Sequence, residues 1–78
     1  MNPYFSISPV TGKRSSIQGY EYGEDYITIY FSNGSIYTYT LKSCGEGHLS
    51  TMKRIADTQS GLNTYLTRNK PPYESKSH

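Results

Sequence analysis

The sequence predicts a small α+β domain, a three-stranded antiparallel meander followed by one or two short helices packed on one sheet face. Three observations carry this. Tyr26-Ile27-Thr28-Ile29-Tyr30-Phe31 is an unbroken run of β-branched and aromatic residues, the types enriched in strands. A turn sequence, Ser32-Asn33-Gly34-Ser35, separates it from a second such run, Ile36 to Leu41. Beyond that hairpin the apolar spacing changes, with Leu49, Met52, Ile55 and Ala56 recurring at the period of a helix.

Composition agrees with a folded unit of this kind. Leu, Ile, Val and Phe together number only thirteen of 78 residues, but nine tyrosines supply large, half-polar rings. Nineteen Ser and Thr residues suit strands and turns better than a helical bundle. At 78 residues the chain holds a single domain with a small core.

In chain order, residues 1–14 contain Pro3, Pro9 and a Thr11-Gly12 break, and are expected to be an extended lead-in. A first strand is predicted from Ser15 to Tyr22, ending at Gly23-Glu24-Asp25; the turn at Gly23 admits two loop lengths and leaves the register open. The central hairpin allows two registers as well. A two-residue turn on Asn33-Gly34 sets Phe31 beside Ile36, whereas a three-residue turn with a left-handed Gly34 pairs Phe31 with Ser35 and Ile29 with Tyr37. The second gathers Ile27, Ile29, Phe31, Tyr37, Tyr39 and Leu41 on one face and leaves Tyr26, Thr28, Tyr30, Ser32, Ile36, Thr38 and Thr40 on the other. A sheet with one dry and one wet face selects this bulged turn. Ser43 to Gly47 is then read as a polar connection and His48 to Thr58 as an amphipathic helix. A second helix is expected from about Ser60, carrying Leu62, Tyr65 and Leu66 and stopping before Pro71-Pro72. The domain therefore covers 15–68, and 69–78 reads as a loose polar tail.

The ordered residues Ser15-Ser16-Ile17, Gly19-Tyr20, Ile27 to Phe31, Gly34, Tyr37-Thr38-Tyr39, Ala56, Gly61 and Asn63 resemble the KTSC family. These short domains are named for the C-terminus of some lysyl-tRNA synthetases and also occur alone. The family's Val-Pro step into its helix is replaced here by Leu41-Lys42-Ser43-Cys44, and its Gly-x-x-Phe-Asn by Gly61-Leu62-Asn63. The resemblance implies RNA binding as the proposed role, and no catalytic residues.

Several chemistries are weak on the residues themselves. Cys44 and His48 stand four apart, but a structural zinc site wants four ligands and the other histidine is terminal. The lone Gly45-Glu46-Gly47 lacks the strand and third glycine of a phosphate loop. Glu24-Asp25 are adjacent turn residues rather than a catalytic pair. No catalytic residue, metal site or cofactor is therefore expected. A single cysteine fits a reducing, cytoplasmic setting, Met1 to Val10 lacks the features of a signal peptide, and no apolar run approaches a membrane span.

Net charge is +2, but unevenly spread: +2 over 1–14, −3 over 15–47 and +3 over 48–78. The candidate contact residues are Tyr26 and Tyr30 on the wet sheet face, with Lys53, Arg54, Arg68 and Lys70 as a modest basic patch should the helices lie side by side. Rings stack on bases and cations neutralise phosphates, so the first expectation is a non-enzymatic module contacting RNA or a nucleotide-like ligand. The alternative is a protein-interaction module, a homodimer or inhibitor, using the Tyr-rich face or an edge strand.

Overall fold

The computed structural model describes residues 2–4, 16–59 and 61–77. Its sheet has five strands, not three, in the order β1 (Asn2–Pro3), β2 (Ile17–Tyr22), β3 (Tyr26–Phe31), β4 (Ile36–Thr40) and β5 (Ser75–Ser77), each antiparallel to its neighbour. Two helices, α1 (Leu41–Thr58) and α2 (Leu62–Asn69), cover one face. The α+β class and antiparallel order are as expected. The two added strands come from segments too polar and proline-rich to signal a strand locally. Both are edge strands, where a proline or a run of serines breaks no ladder bond on its outer side.

The central hairpin takes the bulged register. Ile29 pairs with Tyr37 and Ile27 with Tyr39, while Phe31 N–H donates to Ser35 O at 2.8 Å. Gly34 supplies the left-handed residue at φ +94°, and the Asn33 side chain accepts from Ser35 N–H at 3.0 Å. Ile27, Ile29 and Tyr39 are buried and Phe31 and Tyr37 half-buried beneath the helices, as that register requires. Leu41 departs from it. Its N–H extends the ladder to Asp25 O at 2.9 Å, but its side chain begins α1 and is 48% exposed.

The β2–β3 turn is short: Gly23 N–H donates to Tyr26 O at 3.1 Å, leaving Glu24 and Asp25 at the tip. A register shift between Ile17 and Gly19 accommodates an extra residue, Gln18. Ile17 and Tyr20, three apart, therefore both reach the core, which simple alternation forbids.

α1 starts seven residues earlier than the spacing predicts. Thr40 and Ser43 form a reciprocal cap, each hydroxyl accepting the other's N–H at 3.0 Å, so the helix leaves β4 without a loop. Gly45, at φ 84° and ψ 163°, then breaks it. The break re-aims the remaining turns so that Leu49, Met52 and Ala56 pack on the sheet. Polar composition over 43–47 disguised this first turn.

The ends of the chain are built in. Tyr4 is 1% exposed, and its hydroxyl accepts the N–H of Leu62 at 3.0 Å, capping an α2 that has no side-chain cap of its own. The expected lead-in thus contributes β1 and a core residue; its positions 1 and 5–14, and Ser15 at the expected start of the first strand, lie outside the described residues. The expected loose tail is likewise corrected. Pro71 is buried, Glu74 N–H donates to Thr38 O at 2.7 Å, and β5 follows. Among the described residues no helix is long and apolar enough to cross a membrane.

Candidate functional site

The six sequence candidates fall in three places. Strand alternation puts Tyr26 and Tyr30 on the open face, away from both helices. The Tyr26 ring lies over Gly23, where a Cβ would collide with it, and is 38% exposed. Tyr30 is half-buried, and its hydroxyl donates to Glu21 Oε1 at 2.5 Å. That bond, with some desolvation, raises the phenol above its ordinary range. Thr28 and Thr38 share a hydroxyl bond at 3.2 Å between them. No Lys or Arg occupies an outward position on the described strands; among the described residues the charges bonded at this face are Glu21 and Glu74.

The cations are on the helical side and are themselves divided. Lys53 Nζ donates to Glu24 O at 2.9 Å and sits 5.4 Å from the Tyr22 ring centroid, beside the β2–β3 turn. It lines a cleft with Glu24, Asp25 and Glu46. Arg54 is exposed one residue further along α1, and Arg68 is exposed in the last turn of α2. Lys70 caps α2 in a left-handed conformation, φ 44°, and lines a different cleft. The two clefts share no residue, so Lys53 and Lys70 line different clefts.

The Lys70 cleft is the better-built site. It has a volume of about 450 Å³, within the ~300–1,000 Å³ of small-molecule sites. Phe31, Tyr37, Tyr39, Leu66, Pro71, Pro72 and Tyr73 form its walls, with Asn33, Ser35, Asn63, Thr67 and Lys70 as polar members and no carboxylate among the described lining. Its rings are ordered against one another. Tyr37 meets Phe31 edge-on at 5.3 Å and Tyr73 edge-on at 5.0 Å, and stacks with Tyr39 at 6.4 Å. Lys76 Nζ lies 5.4 Å from the Tyr37 centroid, bringing a second cation to the same rings. Burial lifts the Tyr39 phenol to about 12, so it remains a neutral donor.

Tyr73 and Lys76 were missed because both fall in the segment read as tail. The one local signal was an aromatic residue directly after Pro71-Pro72, a stiff turn that returns the chain to the sheet. Tyr37 and Tyr39 were expected to pack under the helix; they do, and also face this cleft.

Cys44 and His48 are each hydrogen-bonded to another group. The Cys44 thiol donates to Thr40 O at 3.3 Å and burial pushes its pKa up, while His48 Nδ1 is 2.6 Å from the Tyr65 hydroxyl. Among the described residues no three His, Cys, Asp or Glu side chains gather as a metal site.

Fold and cleft together define a small antiparallel α+β unit with an aromatic, cationic pocket at one end of its helical layer. No family model, no curated protein and no solved structure matches the chain.

Proposed function

We propose that the protein is a non-enzymatic binding module for a nucleotide-like ligand, taken by the Lys70 cleft rather than by Tyr26 and Tyr30. The observation that carries this reading is the coincidence of four aromatic rings with Lys70 around a cleft whose described lining holds no carboxylate, with Lys76 against the Tyr37 ring. A planar ring finds stacking partners there, and an attached anion finds cations. The volume suits one nucleotide, free or at the end of an RNA strand. Membership of the KTSC family, with its suggested RNA role, and a cytoplasmic setting belong to the same proposal.

The test is titration with AMP, adenosine and a short single-stranded RNA, followed by ring resonances in NMR spectra. AMP is expected to shift Tyr37 and Tyr73, and Tyr73→Ala to cost ~1–3 kcal/mol of binding, the worth of one base-on-ring contact. Lys70→Ala is expected to reduce the salt slope for RNA by ~0.7, the value for one phosphate. Binding that leaves Tyr37 and Tyr73 unmoved overturns the reading.

A second reading has its own support. Tyr26, Tyr30 and Ile36 share the sheet face away from the helices, where the charges among the described residues are two carboxylates, which suits a protein partner better than a nucleic acid.

A further inference from the structure

We infer that a second site, at the C-terminal end of α1, binds a guanidinium group, as carried by an arginine side chain. This site shares no residue with the Lys70 cleft and does not depend on the nucleotide reading. It is a cleft of about 650 Å³ lined by Asn2, Pro3, Tyr20, Tyr22, Asp57 and Gln59.

Three features favour a cation in it, and Lys53, four residues before Asp57 on α1, already stands beside them. Asp57 lies in the last turn of α1, which contains no basic residue. A helix C-terminus carries partial negative charge and favours a cation, so a carboxylate there adds to a field that nothing in that turn offsets. Asp57 is held in place by two phenols, Tyr20 donating to Oδ1 at 2.8 Å and Tyr22 to Oδ2 at 2.7 Å. Each carboxylate oxygen retains a further lone pair for a ligand. The third feature is aromatic. The Tyr20 and Tyr22 rings stack at 6.2 Å with 16° between planes, and Lys53 already rests 5.4 Å from the Tyr22 centroid. That ring is therefore placed in a field where a cation settles.

The geometry selects among cations. The Asp57 carboxylate and the tyrosine rings are the groups that select a cation, with the amides of Asn2 and Gln59 beside them, so the complement is a planar cation with several donors. Guanidinium lays its plane on a tyrosine ring and directs a fork of N–H groups at a carboxylate; an ammonium ion makes the charge contact alone.

The test uses methylguanidinium, methylammonium and N-acetylarginine amide, each titrated at matched ionic strength and followed by resonances of Tyr20, Tyr22 and Asp57. Saturable shifts confined to these residues are expected, with methylguanidinium at least five-fold tighter than methylammonium. Tighter binding of the arginine amide than of methylguanidinium indicates a peptide side chain as the natural occupant, and the reverse a free small molecule. Asp57→Asn is expected to weaken binding at least ten-fold. Should that variant fail to fold, Tyr22→Leu against Tyr22→Phe serves instead, the first losing binding and the second keeping it. Shifts that do not saturate, or that are equal for both cations, overturn the proposal.

Discussion

Asp57 and its two tyrosines show how single side chains set the pH response. The Tyr20 phenol rises to about 12, first because burial penalises the phenolate and then because Asp57 accepts its proton. For Tyr22, which is largely exposed, the bond to Asp57 comes first and the direction is the same. Raised folded-state values mean that the native protein holds phenolic protons an unfolded chain would release. Their stabilisation is complete below the ordinary value of ~10 and is lost as pH climbs towards 12. An ultraviolet titration is expected to show Tyr20 and Tyr39 ionising late, together with loss of the folded circular-dichroism signal. Asp57→Ala should return Tyr22 towards its ordinary range, lower Tyr20 only in part and leave Tyr39 unmoved. One common transition for all tyrosines would contradict this account.

At the scale of the element, α1 turns on two glycines with opposite demands. Gly45 occupies a region of backbone space, φ 84° and ψ 163°, that side chains avoid, although its surroundings are open. Gly47 has open surroundings and no positive φ. Gly45→Ala is therefore expected to destabilise the protein by ~1–3 kcal/mol. Gly47→Ala should stabilise it by ~0.4–1 kcal/mol, by restricting the unfolded chain. Urea denaturation midpoints check both, and equal effects would show that the break at Gly45 is not fixed by its backbone conformation. The cap joins α1 to the C-terminal segment, since Thr40 Oγ1 donates to Glu74 Oε1 at 2.9 Å and Ser43 Oγ to Pro72 O at 3.0 Å. The start of α1 and the segment leading to β5 thus support each other.

Across the described residues, the candidate cations and the candidate tyrosines fall on different layers. The helical side carries Lys53, Arg54, Arg68 and Lys70, and the open sheet face carries Tyr26 and Tyr30 beside Glu21 and Glu74. A second copy docking face to face would bring like carboxylates together, so the face fits a neutral or basic partner better than a copy of this chain. Light scattering is expected to report a monomer at every concentration. A dimer abolished by Tyr26→Ala would reverse that preference.

The amino-acid order alone determined the α+β class, the central hairpin and the presence of helices after it, one or two being expected and two found. Bulge register was legible because Gly34 and the alternation of Ile27, Ile29 and Phe31 allow a single arrangement with one dry face. Candidate residues were legible as types, since exposed rings and cations declare their chemistry, but their grouping was not. Lys53 and Lys70 face different clefts because α1 and α2 present different flanks, a relation that no helical period encodes. Tertiary structure alone decided β1, β5 and the clefts. Asn2-Pro3 and Ser75-Lys76-Ser77 have little strand propensity of their own and are held by their pairing with β2 and β4. Tyr73 joins the aromatic wall only when that closure brings it to Tyr37, 36 residues earlier in the chain. Local sequence records propensity; long-range pairing decides which rings and charges meet.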